Sequence, residues 1–538
     1  MGSMGRTQSA LGLIDQAIPA RVVIGVTGHR KMENQPTLTK IVRAAMQNII
    51  QMLPPLQNTP LTLCVLSQLA EGADRLLVRE ILKIPESTLE VVLPIEKNDY
   101  MQDFKTGKSK NEFEKLLSQA RSVRTLPAKA ERTEAYEQAG RYIVNQCDVL
   151  IALWGGKPVA GQGGTEEIVN YARDTKCPLI WIHTDEPGQV TLELGRGLNP
   201  GPLQSLDEYN SEEVNATAFA NKLEERHQFL TGVAKSAKMP SDRLQATIEY
   251  ISSYCIRADI LALRYQHLYY RADSVVYALA LIAMIIAAFQ ILFLPEKPMI
   301  LISEIVLMFA VLAIVGISRW RRWHDKWLDY RFLAERFRSA MFIALANIDM
   351  SILRPPRHLS LAYSPKDWMV PAFLLVWGRR PRLKMDLATF QSLKCFICEA
   401  WIEEQIRYHD GIRKHQYLRH NRMAIASYIL FGLTICAVLL HISNLGPHLL
   451  GMLFAFMATV LPAIAASITA IRTHRDYLRN SMRSAEMVRH LTEFKDRMML
   501  SHDYNSFLES LKDVEETMLH ENEDWRVVVR FHISEVPV

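Results

Sequence analysis

Apolar residues dominate 21–26 (RVVIGV), close before Gly28, and give way to a three-to-four-residue rhythm from Thr37 to Met52. The same alternation recurs: apolar runs at 61–66 (LTLCVL), 89–93 (LEVVL), 148–153 (DVLIAL) and 178–182 (PLIWI) are separated by segments of helical periodicity. Continuous apolar strands interleaved with helices predict a parallel sheet covered on both faces. Ligands of such open sheets sit at the carboxyl ends of the strands, so the loops there are where chemistry is expected.

Beyond residue 205 the pattern changes. Residues 205–272 are charged and helical, and end in Tyr265, Tyr269, Tyr270 and Arg271, a composition typical of an approach to a membrane interface. Residues 274–294 are uniformly uncharged and long enough to cross a hydrocarbon core of about 30 Å. A turn, PEKP, leads into a second span at 299–318, which holds one acid, Glu304, and is followed by Arg319, Arg321, Arg322 and Lys326. Further spans at 424–442 and 448–471 are joined by SNLGPH and followed by Arg472, Arg475 and Arg479.

The predicted architecture is therefore an α/β Rossmann-like parallel-sheet domain followed by an all-α membrane domain with four transmembrane helices in two hairpins. The turns within the hairpins hold one lysine, whereas the outer flanks are rich in arginine, which places the sheet domain and both termini in the cytoplasm. RADSVVYALALI resembles NRMAIASYILFG, and DYRFLAERFRSA resembles DYLRNSMRSAEM, as expected of two related hairpin units. Between them, WMVPAFLLVW is too short to span and reads as a packed cytoplasmic or interfacial element. The expected divisions are 20–200, a helical linker at 205–272, hairpin modules at 273–350 and 414–538, and an insert at 351–413.

Composition adds exclusions. The 49% hydrophobic and 22% charged residues average an ordinary soluble part with an apolar one, and a net charge of +5 with no long basic run argues against nucleic acid as a partner. Seven scattered cysteines fit a reducing compartment, and the lone Cys395-x-x-Cys398 lacks the second ligand pair of a structural zinc site, so no metal is expected. No signal peptide is read in residues 1–20; the opening Met-Gly-Ser resembles an expression scar, and the loose myristoylation match from Met4 is discounted.

Three strand-end loops carry candidate chemistry. Thr27-Gly28-His29-Arg30 follows the first strand, where a glycine admits close approach of a phosphate and an arginine supplies a charge-assisted contact. Glu71, Gly72 and Asp74 lie at a loop-to-helix junction after the second strand, where Asp74 is either a local cap or a ligand contact. After the strand DVLIAL come Trp154-Gly155-Gly156 and then Gly161, Gly163, Gly164, Thr165 and Glu167 opening a helix. There backbone amides can cradle phosphate and a glutamate can accept from ribose hydroxyls. The three loops together point to a nucleotide-type small molecule.

These runs, IGVTGHR, SQLAEGADRL and CDVLIALWGG…GQGGTEEIV, resemble the SLOG superfamily of Rossmann-like domains, which includes the LOG phosphoribohydrolases, DprA-like proteins and sensor-like domains of TRPM channels. In the LOG loop G-G-x-G-T-x-E, Gly161, Gly164, Thr165 and Glu167 match, while Gln162 replaces the second glycine. Glu167 falls at the family's catalytic glutamate, but the accompanying Arg-Lys motif has no counterpart, so the resemblance implies binding more than N-glycosidic cleavage. YQHLYYRADSVVYAL, the helix bearing Leu333, Ala334, Glu335 and Arg336, and EDWRVVV resemble the SLATT two-span modules of bacterial conflict systems.

The combined resemblance implies an antiphage effector in the inner membrane. A nucleotide, ADP-ribose-like or NAD-derived ligand would bind the SLOG-like domain and open an oligomeric pore in the lipid bilayer. The competing readings are a membrane-anchored nucleotide hydrolase using Glu167, and a transporter, which the scarcity of polar positions in the spans disfavours.

Overall fold

The computed structural model describes residues 17–30, 35–127, 129, 131–156, 164–185, 189–195, 197, 200–348, 367–381, 390–443 and 447–530. The chain separates into two compact units: residues 17–212 with 364–376 form one, and the remainder forms the other.

The first unit is built on a seven-stranded sheet: β1 (Ala20–Gly28), β2 (Leu61–Ser67), β3 (Thr88–Leu93), β4 (Ser122–Thr125), β5 (Val149–Trp154), β6 (Leu179–His183) and β7 (Val190–Glu193). Their order is β4-β3-β2-β1-β5-β6-β7, parallel except for β7. The five central strands are those expected from the sequence. β4 and β7 were not foreseen, because both are four-residue edge strands, β4 wholly exposed, with no continuous apolar run to mark them.

Helices α1 (Gln35–Met52), α2 (Ala73–Ile81) and α3 (Gly107–Gln119) lie in the connections from β1 through β4, α4 (Arg132–Gln146) crosses back from the edge strand β4 to β5, and α5 (Thr165–Asp174) joins β5 to β6. Their apolar faces build two separate cores, one holding Val42, Leu77 and Phe113 with Val65, the other Ile143 and Val169 with Leu150 and Ala152. One core per sheet face is the signature of a doubly wound fold, and the strand order reverses between β1 and β5.

Two boundaries differ from the sequence-based ones. Helix α6 (Pro200–Ser211), partly within the expected linker, belongs to the sheet unit: Asp207 accepts from the backbone amides of Gln57 (3.2 Å) and Asn58 (2.8 Å), and Asn210 holds Ile18 and Thr59. The WMVPAFLLVW segment also returns to it, with Trp368 packed on Tyr209 (5.1 Å) and the Leu375 carbonyl accepting from Arg121 (3.1 Å).

The second unit is helical: α7 (Ala216–Ser236), α8 (Ser241–Phe293), α9 (Leu301–Trp320) and α10 (Trp323–Leu345), then, after α11 (Met369–Arg379) at the unit boundary, α12 (Phe390–Ile397), α13 (Glu403–Ile442), α14 (His448–His474), α15 (Tyr477–Leu500) and α16 (Tyr504–Arg530). Four helical stretches, 247–293, 298–345, 390–442 and 448–500, are long and apolar enough to cross a membrane, which makes this a multi-pass membrane protein. In their most apolar windows only 22, 11, 6 and 6% of positions are buried by the chain itself. Glu304 lies in the first turn of α9, where an acid is favoured by the helix dipole.

The two hairpins share a local device. α9 breaks into α10 at Arg322 (φ 53°), and α14 into α15 at Asp476 (φ 48°), each a non-glycine residue in the left-handed region at the same place in its module. That correspondence supports the weak sequence repeat.

Away from the apolar windows, ion pairs join the helices: Lys222–Asp259 (2.9 Å), Arg226–Glu404 (2.7 Å), Arg336–Glu515 (2.7 Å) and Lys495–Glu403 (2.7 Å). The Glu515 side chain is 1% exposed. Removing one partner of such a buried pair costs roughly 3–5 kcal/mol, because the other charge stays buried. We expect Arg336→Met to lower the midpoint of thermal unfolding in detergent, with Arg336→Met/Glu515→Leu recovering most of the loss. In a background lacking native cysteines, cysteines at 296 and 443 should be labelled from one side of the membrane, and those at 325 and 479 from the other.

Candidate functional site

The loops after β1, β2 and β5 meet at the carboxyl ends of the strands, at the switch point of the sheet. Gly28 pairs with Leu153 in the β1–β5 ladder, the His29 amide donates to the Leu153 carbonyl (3.1 Å), and the His29 carbonyl accepts from the Ala73 amide (3.0 Å). The Gly155 amide donates to Nε2 of His29 (3.1 Å). His29 therefore ties three loops together.

The glycines serve the same convergence. A Cβ at Gly28 would lie 2.5 Å from both the Ala73 Cβ and the Leu153 carbonyl. Gly72, at φ +83°, would place one 2.3 Å from the Arg30 carbonyl. Both are required by close backbone approach whatever binds there.

Of the candidates after β2, Asp74 faces inward. It is 5% exposed, accepts from Ser67 Oγ (2.9 Å) and is further hydrogen-bonded by the backbone at Ala70 and Gln68. It latches the preceding loop rather than capping its helix from the front. Burial pushes its carboxyl up to about 6, more than its hydrogen bonds and Arg75 pull it down. Glu71 accepts from Ser109 Oγ and so turns toward α3.

Several rim residues carry no sequence signal. Arg75, 2% exposed, donates to the Leu69 carbonyl (3.1 Å) and to Ser109 (2.8 Å), and lies over Phe104 (4.5 Å). Its Nη2 and the hydroxyl of Tyr100 are buried without a hydrogen-bond partner among the described residues. Burial holds the Tyr100 phenol well above its usual range. Tyr136 donates to Asp103, and the exposed Arg30 guanidinium stands 5.7 Å from the Tyr136 ring centre. Tyr100 ends a single helical turn and Tyr136 lies in the second turn of α4, so periodicity gave no reason to place either beside Arg30.

At the third loop, Gly161, Gln162 and Gly163 lie outside the described residues. Gly164 precedes α5 with no side-chain cap, and Thr165 opens its first turn half-buried. Glu167 points into a groove between α4 and α5 lined by Gly164, Glu166, Asn170 and Tyr171, where Arg141 lies 3.7 Å away and stacks on Tyr171 (4.9 Å). The groove has a volume of about 260 Å³. Thr27, Gly28, His29, Arg30 and Gly72 thus converge at the switch point, Asp74 lies beneath them, Glu71 turns to α3, and Gly164, Thr165 and Glu167 line or border the α4–α5 groove.

Among the described residues no group of three or more His, Cys, Asp or Glu side chains is placed to hold a metal. All seven cysteines are free; Cys398 of the C-x-x-C pair is buried, and Cys147 and Cys177 sit 3.7 Å apart in the sheet core. No protein-family model and no curated protein sequence matches this chain.

A carboxyl with a raised native value stabilises the fold below its unfolded value and loses that contribution as pH rises through the native one. Between about pH 4 and pH 6 the β2–α2 loop should lose on the order of 3 kcal/mol, seen as falling hydrogen-exchange protection once intrinsic rates are corrected. In Asp74→Asn that pH dependence should vanish, whatever the offset in protection. Gly72→Ala should raise exchange throughout the same loop, consistent with a cost of about 1–3 kcal/mol.

Proposed function

We propose that this chain is a ligand-responsive membrane protein: the rim at the β1–β5 switch point takes a nucleotide or ADP-ribose-like anion, and binding there changes the state of the four-span unit. The observation that carries the reading is the exposed Arg30 beside Tyr136, at the point where three strand-end loops converge. A guanidinium supplies a charge-assisted hydrogen bond to phosphate, and an aromatic face beside it supports a base or sugar. The first turn of α5, which has no side-chain cap among the described residues, adds backbone amides suited to an anion.

The chain passes between the two units after residue 212 and again on either side of 364–376, so each hairpin module is covalently joined to the sheet unit. A ligand shifts such a system only by its difference in affinity for two states, and a switch from 1:99 to 99:1 takes about 5.5 kcal/mol. Two hairpins are too few to enclose a wide aqueous path. A pore therefore requires several chains about a closed symmetry axis, with the sheet unit on the arginine-rich, cytoplasmic side. The resemblance to SLOG and SLATT modules supports the further reading of an antiphage effector acting on the inner membrane.

The test has two stages. Calorimetry against a nucleotide and dinucleotide panel should find a ligand whose affinity falls roughly 10- to 100-fold in Arg30→Ala, the scale of a lost charge-assisted contact. Protein in sealed liposomes should then release a small dye only with that ligand present. Sealed liposomes at saturating ligand would reduce the spans to anchors, and equal binding by Arg30→Ala would displace the site.

A further inference from the structure

A second cleft lies in the helical unit, beside the ends of the apolar windows. It has a volume of about 40 Å³, several times the 10–15 Å³ needed by one water, and is lined by residues of α8, α10, α14, α15 and α16 and by the α14–α15 break. Its aromatic walls are continuous: Tyr270 packs on Trp327 (5.2 Å), and Trp327 meets Trp525 edge-on (5.5 Å).

Three arginines line it, Arg475 at the end of α14 and Arg479 and Arg483 one turn apart on α15. Arg479 has Asp476 at 3.3 Å and Arg483 has Glu521 at 3.2 Å. Arg475 differs. Its Nη2 donates to the Tyr270 carbonyl (3.0 Å) and Ser274 Oγ (2.6 Å), and the guanidinium stacks on Tyr270 (4.7 Å), all neutral groups. Nε of Arg475 is buried without a hydrogen-bond partner among the described residues, as is Nε2 of the neighbouring His474, whose Nδ1 is 3.3 Å from Asp273.

A half-buried guanidinium held by neutral acceptors retains its full attraction for an anion, and an unsatisfied buried donor costs about 1–3 kcal/mol until something accepts from it. Desolvated donors, arginines and an aromatic wall at the end of apolar helices suit a phosphate oxyanion, in particular a headgroup phosphate on lipid whose chains lie along the spans. Ser274 opens the first apolar run and Arg475 follows the fourth by four residues, so the cleft lies at headgroup depth.

We propose that the Arg475 cleft binds a phosphate oxyanion, supplied by an anionic phospholipid. This site is independent of the sheet rim and of any ligand bound there.

The test uses the full chain in a non-ionic detergent, with bound molecules counted by native mass spectrometry. The probes are phosphatidylglycerol, phosphatidylcholine and inorganic phosphate. Wild type should retain phosphatidylglycerol over phosphatidylcholine, and Arg475→Gln should weaken that retention roughly tenfold, the loss of one charge-assisted partner. Arg479→Gln, at an exposed side chain whose loss leaves the packing intact, should weaken it in the same direction and decides the matter if Arg475→Gln does not fold. Phosphate binding with the same arginine dependence, but no preference for phosphatidylglycerol, would keep the oxyanion site and make its source soluble phosphate. Retention of all three probes unaltered by either substitution would overturn the proposal, and an unchanged Arg30-dependent response would show that the sheet rim is unaffected.

Discussion

Moving a leucine-sized side chain out of water is worth about 1.5–3 kcal/mol, and the apolar windows of the four spans leave most of their positions uncovered by the chain itself. Ile302, Phe309 and Leu312 in α9, and Ile429, Phe431 and Leu433 in α13, stand exposed. No rearrangement of one chain covers that much surface, so a bilayer, or a bilayer together with further copies, is a condition of the fold. The other features of the helical unit follow from it. Backbone groups in the spans must be satisfied within helices. The few polar side chains there bond locally, as Ser427 does to the Met423 carbonyl (3.0 Å) and, across the second hairpin, to Thr469 (3.2 Å).

Charges are accordingly concentrated away from the apolar windows. The helices that continue from the spans, with α7 and α16, carry Arg226–Glu404, Arg336–Glu515 and Lys495–Glu403, joining elements far apart in sequence. Such pairs add little net stability compared with apolar packing, but removing one partner leaves the other charge buried and unpaired. The left-handed residues Arg322 and Asp476 end each second span and redirect the chain into this polar bundle. With Tyr269, Tyr270 and Trp327 gathered at the same depth, the boundary between apolar and charged helix becomes a place with its own chemistry.

In the sheet unit the governing constraint is close approach of backbone. Gly28, Gly72 and the His29 ring bring three loops within hydrogen-bonding distance at one point on the strand ends. Their demands are met by packing, and above them Arg30 stands exposed. The raised carboxyl of Asp74 and the buried phenol of Tyr100, which has no hydrogen-bond partner among the described residues, form a polar floor beneath the rim. Polar burial of that kind is costly, and functional sites are where folds most often sustain it.

The sequence by itself determined the class of each unit. Apolar runs of five or six residues alternating with helical segments read as strands covered on both faces, and some twenty uncharged residues are long enough to span, because both patterns report burial directly. Short or exposed elements left no such trace: β4 and β7 are edges with little to bury, and α6 and WMVPAFLLVW join the sheet unit through contacts with residues 18, 57–59 and 121, over a hundred positions away. The site divides in the same way. Gly28, His29 and Arg30 were legible as strand-end residues because a loop after a buried parallel strand lies at the carboxyl edge of the sheet, whereas Tyr100 and Tyr136 come from other connections and Arg75 turns beneath the β2–α2 loop. Glu167 shares a sequence motif with the glycine loop, yet lies in a groove against Arg141 of α4. Local patterns fix what a segment must bury; which distant side chain meets it depends on strand order and helix crossing, and these exist only once the chain has folded.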